Sequence, residues 1–170
     1  MQLAAFEAIA STLGHHRVRY LVAGGLAVNA HGYLRFTKDI DLVIALAPDN
    51  VRAAFAALGE IGYRPAVPVT ADGFGDADTR RSWIEDKGMQ VLNFFSDRFP
   101  ATSVDVFVDE PFEFDAEYAN AMVGEIAPQL AVRFVSIPTL IRMKEAVARP
   151  VDLDDVEHLR WMEEQGDDRE

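Results

Sequence analysis

Two adjacent glycines between an apolar run and a helix-forming segment constrain the start of this chain most strongly. The run 18–23 is rich in β-branched and aromatic residues and predicts a buried strand that stops at Gly24 and Gly25. The segment 26–31 has good helix formers and ends at Gly32, so it predicts a short helix that the two glycines open. Glycine lets a ligand approach the N–H groups of such a helix end, which suits a phosphate. An ordinary strand-to-helix turn is the alternative reading of the glycines alone.

Two aspartates at the head of the next apolar run make the glycine pair more informative. Asp39 and Asp41 precede the strand-like run 42–46, and residues two apart on a strand point to the same side. Two neighbouring carboxylates repel each other unless a cation lies between them. Oxygen ligands of this charge density suit Mg²⁺, or Mn²⁺, better than zinc. The spacing predicts a divalent-cation site, and a solvated strand end is the alternative.

A third carboxylate lies in a later strand-like run. Val104, Val106 and Val108 form one apolar face there, which leaves Asp105 on the other face. A carboxylate in the middle of so apolar a strand is poorly solvated unless it is hydrogen-bonded or bound to a metal. Asp105 is therefore the predicted third metal ligand. Asp109, two residues further along, is the rival candidate.

The last third of the chain predicts a helix that carries an inward-pointing lysine. Ser136 is placed to cap a helix that has proline in its first turn and runs on to 148. Lys144 lies on the apolar face of that helix, so its ammonium needs an anion, either a substrate phosphate or an aspartate. A lysine whose charge reaches solvent is the alternative.

A second helix is predicted after the first one. Pro150 breaks the preceding helix, and Asp152 can cap another helix that begins at Leu153. Asp152 and Asp155 have the spacing of a capping box.

The two motifs of the first quarter resemble the minimal nucleotidyltransferases of the polymerase-β superfamily. Their signature is an apolar residue, Gly, then Gly or Ser, a spacer, and Asp-apolar-Asp. Here thirteen residues separate Gly25 from Asp39. Within the superfamily, the chain resembles the branch of AbiE-type toxins of type IV toxin-antitoxin systems. That branch often shows Arg-x-Thr-x-Asp-apolar-Asp, and this chain has Arg35, Thr37, Asp39 and Asp41 at those positions.

The tail resembles the same branch, whose pattern is Lys, a few residues, Arg, then Asp-x-x-Asp. In that branch the lysine and an aspartate of the tail belong to the active site, which implies active-site roles for Lys144 and Asp152. The fold that the resemblance implies is α/β, a nucleotidyltransferase-like mixed β-sheet flanked by helices, with a short helical C-terminus. One departure is that glycine stands at 25 where many relatives have serine, which removes a hydroxyl donor to phosphate.

The activity that the resemblance implies is metal-dependent transfer of an NMP from a nucleoside triphosphate to a hydroxyl acceptor. The acceptor stays open between RNA, a protein and a small molecule, and a cognate antitoxin or toxin is an implied partner. The implied metal ligands are Asp39, Asp41 and Asp105. The implied catalytic set adds Lys144, and the implied nucleotide contacts are Gly24, Gly25, Arg35, Thr37, Lys144 and Asp152.

Length and composition set limits to these expectations. With 170 residues, 49% of them hydrophobic, the chain predicts one domain over 1–170, with a core of about 1–135 and C-terminal helices of about 136–165. It contains no cysteine, so thiolate metal sites are excluded. We expect no signal peptide or membrane segment, and therefore a cytoplasmic protein. The formal charge of −12 argues against broad RNA binding.

Other readings of the same carboxylates also stay open. A non-catalytic partner, antitoxin-like or regulatory, could keep the fold and bind a nucleotide or a protein without turning it over. A metal-dependent phosphohydrolase would release phosphate without any acceptor. Elsewhere the sequence predicts a helix over 49–58, strands over 89–95 and 130–135, and an exposed loop over 62–81.

Overall fold

A mixed β-sheet forms the centre of the computed structural model, which describes residues 1–167. Its strands are β1 (Tyr20–Ala23), β2 (Ile40–Ile44), β3 (Tyr63–Pro65), β4 (Val91–Ser96), β5 (Val104–Phe107), β6 (Met122–Ala127) and β7 (Leu130–Phe134). The helices are α1 (Leu3–His15), α2 (Gly24–His31), α3 (Pro48–Glu60), α4 (Ala71–Gly75), α5 (Ala77–Lys87), α6 (Phe114–Asn120), α7 (Ile137–Val147) and α8 (Pro150–Asp167). The expected single domain extends to 170, and residues 168–170 lie outside the described part.

The strand order is β3-β4-β5-β2-β1-β7-β6 across the described residues. In the centre, β2 runs antiparallel to β1 and parallel to β5, while β1 runs parallel to β7. Both edges are antiparallel pairs, β3 with β4 and β6 with β7. This arrangement confirms the predicted α/β fold with a mixed sheet flanked by helices and a helical C-terminus.

The central strand β2 is apolar on both faces, which places it in the middle of the sheet. Ile40, Leu42, Val43 and Ile44 are all buried, and Asp41 is the one polar residue of the strand. Helices α1 and α3 pack against each other beside the sheet. Burial on both faces holds β2 firmly, so the carboxylate that it carries has a well-defined position.

The segment 62–81 was predicted as a loop, and this prediction is wrong for most of it. It contains β3, α4 and the start of α5. The side chain of Thr70 caps α4 and that of Asp76 caps α5. Phe74 on α4 is fully buried and its ring centroid lies 5.6 Å from that of Phe55. Short helices with several glycines and aspartates lack the apolar periodicity that would reveal them in sequence.

The two C-terminal helices form as predicted, but their caps differ. Helix α8 begins at Pro150, so Asp152 lies inside its first turn and does not cap a helix that starts at Leu153. Its carboxylate reaches back to the backbone N–H of Arg149 at 3.2 Å. Proline is well tolerated in a first helical turn, which moves the start of the helix upstream. None of the described helices is long and apolar enough to cross a membrane.

Candidate functional site

A cleft of about 770 Å³ lies between the ends of the central strands and the C-terminal helices. Every residue that the sequence predicted for the site lines this cleft. They are Gly24, Gly25, Arg35, Thr37, Asp39, Asp41, Asp105, Lys144 and Asp152. A second hollow of about 870 Å³ lies on the outer surface of α8 and contains none of them. The roles of the lining residues remain predictions, but the structure brings all of them to one place.

Two of the three aspartates face each other across neighbouring strands. Asp41 on β2 is the register partner of Asp105 on β5, and such partners lie about 5 Å apart in a sheet. Asn93 on β4 donates from Nδ2 to Oδ1 of Asp105 at 2.8 Å and fixes its orientation. The sheet order therefore brings together two carboxylates that are far apart in sequence.

Asp39 lies one residue before β2 begins. Ser103 donates from its hydroxyl to Oδ1 of Asp39 at 2.5 Å. In the described residues, no three carboxylate or imidazole groups are gathered closely enough to enclose a metal ion. Asp39 is turned towards Ser103 and Asp105 towards Asn93, which leaves Asp41 between them.

The electrostatics of these aspartates reflect their crowding. The pKa of Asp41 is raised from 3.8 to about 6, first by burial and then by the negative charges of Asp105 and Asp39, against the opposing effect of Lys144 and Arg149. Burial also raises the pKa of Asp105, which the hydrogen bond from Asn93 partly offsets. The site therefore holds negative charge that a bound cation would stabilise.

The glycine turn is shaped by Asp41. Gly24 has φ of +61°, and a Cβ built on it would lie 1.9 Å from Oδ2 of Asp41. A Cβ on Gly25 would lie 2.9 Å from both Nη atoms of Arg35 and from Oγ1 of Thr37. Gly24 is required because of its positive φ and the carboxylate beside it, whereas at Gly25 a Cβ would force the Arg35 guanidinium or the Thr37 hydroxyl to shift. The N-terminus of α2 opens onto the same cleft as the aspartates.

Lys144 is buried, as its place on the apolar face of α7 predicted, with 6% of its surface exposed. Its Nζ lies 2.7 Å from Oδ2 of Asp155 and 3.4 Å from Oδ1 of Asp152. Arg149 contacts Asp152 through Nε at 2.7 Å and Nη2 at 3.2 Å. The inward-pointing ammonium therefore has anions supplied by α8.

Asp155 is the residue that sequence reasoning missed. It is fully buried, and Arg35 donates to both of its oxygens at 2.6 and 2.7 Å. The bidentate contact ties the segment after α2 to α8. Its sequence signal is the second aspartate of the tail pattern, but the spacing from Asp152 equally fits a capping box.

The donor set of the cleft fits a divalent cation with oxygen ligands. Mg²⁺ is usually held by one or two protein carboxylates, with waters and substrate phosphates filling the other positions. Asp41 and Asp105 provide two adjacent carboxylates, and Asp39 lies two residues before Asp41 at the lining of the same cleft. Because the closed cage typical of calcium is not needed, an open pair of carboxylates suits this metal.

One wall of the cleft is apolar. It comes from α5, from the segment between α5 and β4, from β5 and from the segment that follows β5. The side chains are Ile84, Met89, Phe107, Val108 and Pro111. Phe107 lies two residues after Asp105 on the same strand, so this wall begins next to the carboxylates.

Comparison with known proteins supports the fold. No model of a protein family matches the chain, and no curated protein matches it in sequence. A crystal structure of ANT(2'')-Ia in complex with adenylyl-2''-tobramycin matches with a TM-score of 0.56 at 14% identity, over 99% of this chain and 98% of that one. A solution structure of ANT(2'')-Ia matches with a TM-score of 0.57 at 17% identity, over 95% and 82%.

A third solved structure is similar in the same way. The lincosamide antibiotic adenylyltransferase LnuA, bound to lincomycin, matches with a TM-score of 0.56 at 12% identity, over 88% of this chain and 90% of that one. All three structural neighbours are nucleotidyltransferases. At these identities the similarity establishes the architecture, so the chain has the nucleotidyltransferase-like fold that its sequence predicted.

Proposed function

We propose that this protein is a metal-dependent nucleotidyltransferase that moves an NMP from a nucleoside triphosphate to a hydroxyl group. One observation carries the proposal. Asp41 and Asp105 are paired in register beside the glycine turn, in a cleft that also contains the buried Lys144. Carboxylates, a helix N-terminus and a cation around one cleft form the set of groups that phosphoryl chemistry requires.

The residues of the cleft divide into three groups by role. Asp41 and Asp105, with Asp39, would hold Mg²⁺. When bound, the ion supplies charge neutralisation for the phosphates and lowers the pKa of the acceptor hydroxyl. The backbone N–H groups at Gly24 and Gly25 bind the triphosphate, and Lys144 stabilises negative charge that develops on it during the reaction.

The transfer itself replaces one P–O bond by another. The acceptor oxygen attacks the α-phosphorus while its proton passes to solvent water, and the bond between the α-phosphorus and the bridging oxygen of pyrophosphate breaks, so that pyrophosphate leaves. Asn93 fixes the orientation of the Asp105 carboxylate through its hydrogen bond at 2.8 Å.

A small molecule is the acceptor that the cleft fits best. Part of the cleft lining, around Phe107, is apolar, and three of the five basic side chains that line the cleft are already paired with aspartates of α8, namely Arg35, Lys144 and Arg149. RNA would require phosphate contacts from lysine and arginine. The formal charge of −12 also disfavours RNA. Two of the structural neighbours were solved with an antibiotic or an adenylylated antibiotic.

The test compares the wild type with Asp41→Asn and with a matched control, Asp86→Asn. Asp86 is exposed on α5 and carries the same charge. Each protein is incubated with each α-labelled NTP, Mg²⁺ and one of three acceptors, namely cell RNA, cell protein or a panel of hydroxyl-bearing antibiotics. We expect label on the small-molecule acceptors with the wild type and the control, and at least about 100-fold less with Asp41→Asn.

The outcomes separate the alternatives. Equal label with Asp41→Asn contradicts the proposed catalytic role. Nucleotide binding without transfer to any acceptor supports the non-catalytic reading, and phosphate release without an acceptor supports a phosphohydrolase.

A toxin of the AbiE type is a second candidate. The observation that favours it is that Arg35, Lys144 and Asp152, which match that branch in sequence, lie in one cleft. In this case expression in a bacterial host slows growth, and Asp41→Asn relieves the effect. Unimpaired growth of the wild-type expressor contradicts this candidate.

A further inference from the structure

Asp155 is the most deeply buried charged residue next to the cleft in the described part of the chain, and the proposed transfer does not use it. Its carboxylate is 0% exposed and lies behind the cleft wall formed by Arg35, Lys144 and Asp152. Two cations share it. Arg35 donates to both oxygens at 2.6 and 2.7 Å, and Nζ of Lys144 lies 2.7 Å from Oδ2. If this carboxylate were lost, Arg35 would keep only the carbonyl of Phe36 and Lys144 only the longer contact with Asp152 among the described residues.

Asp152, three residues earlier on α8, holds Lys144 less firmly. Its distance to Nζ of Lys144 is 3.4 Å, while Arg149 donates to it from Nε, Nη2 and the backbone. Because Arg149 already pairs with Asp152, Lys144 can turn from Asp152 to an incoming phosphate without leaving that carboxylate unpaired. Lys144 therefore keeps its contact with Asp155 when a phosphate binds, while its longer contact with Asp152 can be replaced by one with the phosphate.

The other cation of Asp155 lies against the glycine turn. The Nη atoms of Arg35 fill the space beside Gly25, where a Cβ would lie 2.9 Å away. The backbone of Arg35 is held on α2 by Asn29, which donates to its carbonyl at 2.9 Å and accepts from its N–H at 3.0 Å. The side chain of Arg35 thus connects the start of α2 to α8 through Asp155.

We infer that Asp155 is a positioning residue for triphosphate binding, which fixes Lys144 and Arg35 at the phosphate end of the cleft. It acts through these two side chains and not by touching the ligand. The inference rests on the proposed function, because it takes the triphosphate as the ligand of the cleft. On this inference, the affinity for phosphate depends on Asp155 of α8, which does not itself line the cleft.

The experiment measures binding of inorganic tripolyphosphate with Mg²⁺ by calorimetry, which avoids the choice of a nucleobase. The proteins are the wild type, Asp155→Asn, Lys144→Gln, the double variant, and Glu157→Gln as the control on the exposed side of α8. We expect Asp155→Asn to weaken binding about 10- to 100-fold, as loss of a supporting contact does at other sites. We expect the control to bind as the wild type does.

The double variant distinguishes positioning from general destabilisation. If Asp155 acts through Lys144, the double variant binds no more weakly than Asp155→Asn alone, because the contribution of Lys144 is already lost. A loss equal to the product of the two single losses overturns the inference. So does unchanged binding in Asp155→Asn or in Lys144→Gln, or a wild type that does not bind tripolyphosphate.

A second variant keeps the test valid if Asp155→Asn does not fold. Asp155→Glu retains the charge and moves the carboxylate by one methylene, so we expect a folded protein with a smaller loss of affinity. If Asp155→Glu folds and binds tripolyphosphate as tightly as the wild type does, the position of the carboxylate does not matter and the inference is overturned. A wild type that binds tripolyphosphate but transfers no label contradicts the proposed function alone, so the two failures are distinguishable.

Discussion

Gly24 shows how tightly single residues of this site constrain one another. Gly24→Ala would place a methyl group 1.9 Å from Oδ2 of Asp41, at a backbone φ of +61° that alanine adopts poorly. We expect the unfolding free energy to fall by about 2 kcal/mol or more, and transfer activity to be lost because Asp41 is displaced. Thermal denaturation and the transfer assay measure the two effects.

Gly14 provides the matched control for this substitution. It lies in α1, and a Cβ there would meet nothing within 4 Å. We expect Gly14→Ala to leave activity unchanged and to raise stability by up to about 1 kcal/mol. Equal effects of the two substitutions would mean that contact with Asp41 does not explain the requirement for glycine at 24.

Asp41 is a residue whose charge opposes folding in the absence of a cation. Its pKa is raised from 3.8 to about 6, so its ionisation above that pH destabilises the folded state by about 3 kcal/mol relative to the unfolded chain. We expect Asp41→Asn to stabilise the protein at neutral pH in EDTA by about 1–3 kcal/mol while abolishing transfer. Chemical denaturation in EDTA measures the difference.

The same comparison at about pH 4 is the internal check, because the wild-type carboxyl is then mostly protonated in the folded state. The stabilisation by Asp41→Asn should largely disappear there. The exposed Asp86→Asn should change stability at neither pH. If the unfolding free energy of Asp41→Asn at neutral pH is equal to or below that of the wild type, the ionised Asp41 does not destabilise the folded state as predicted.

Helix α7 depends on a cap that lies elsewhere in the chain. Ser136 occupies its N-cap position, but the hydroxyl makes no capping hydrogen bond. Glu117 on α6 instead accepts from the backbone N–H of Ser136 and from the hydroxyl of Thr139, both at 2.6 Å. We expect Glu117→Ala to lower the unfolding free energy by about 2 kcal/mol and Ser136→Ala to change it by less than about 0.5 kcal/mol. Denaturation curves of both variants test this; a larger effect of Ser136→Ala would favour the local cap.

Elements with a strong local signal were predicted from sequence, and elements held by distant contacts were not. The glycine-opened helix α2 and strand β5 follow from residues within each segment. In contrast, β3, α4 and α6 are short, and contacts outside each segment stabilise them. The capping role of Glu117 could not be predicted from sequence, because it lies nineteen residues before the N–H group that it binds.

The candidate site shows the same division. The pairing of Asp41 with Asp105 depends on which strands are neighbours, and sequence supplied both residues but not their register. Asp155 was missed because a local explanation, capping, was available for its spacing. Its partner Arg35 is 120 positions away, a separation that no pattern within one segment can reveal.

For the molecule as a whole, two groups of carboxylates respond to pH in opposite directions. Asp41 and Asp105 have raised pKa values, so the stability that their protonated forms contribute is present at low pH and lost as pH rises through their folded pKa values. Burial alone would raise the pKa of Asp155, but hydrogen bonds from Arg35 and Lys144 outweigh it and hold the pKa below 3.8. Its contribution is therefore present above that pH and lost as pH falls below it.

These opposite dependences predict an acidic optimum for the stability of the metal-free protein, at about pH 4–6. The negative charge of −12 at neutral pH adds self-repulsion to the decline above the optimum. Excess Mg²⁺ should raise stability mainly at neutral pH, because it binds the ionised carboxylates of the folded state. Thermal denaturation across the pH range, with EDTA and with Mg²⁺, measures both curves. Asp41→Asn should flatten the neutral side of the EDTA curve and remove most of the response to Mg²⁺. An EDTA curve that rises from about pH 5 to neutrality would mean that the crowded aspartates do not govern the stability of this fold.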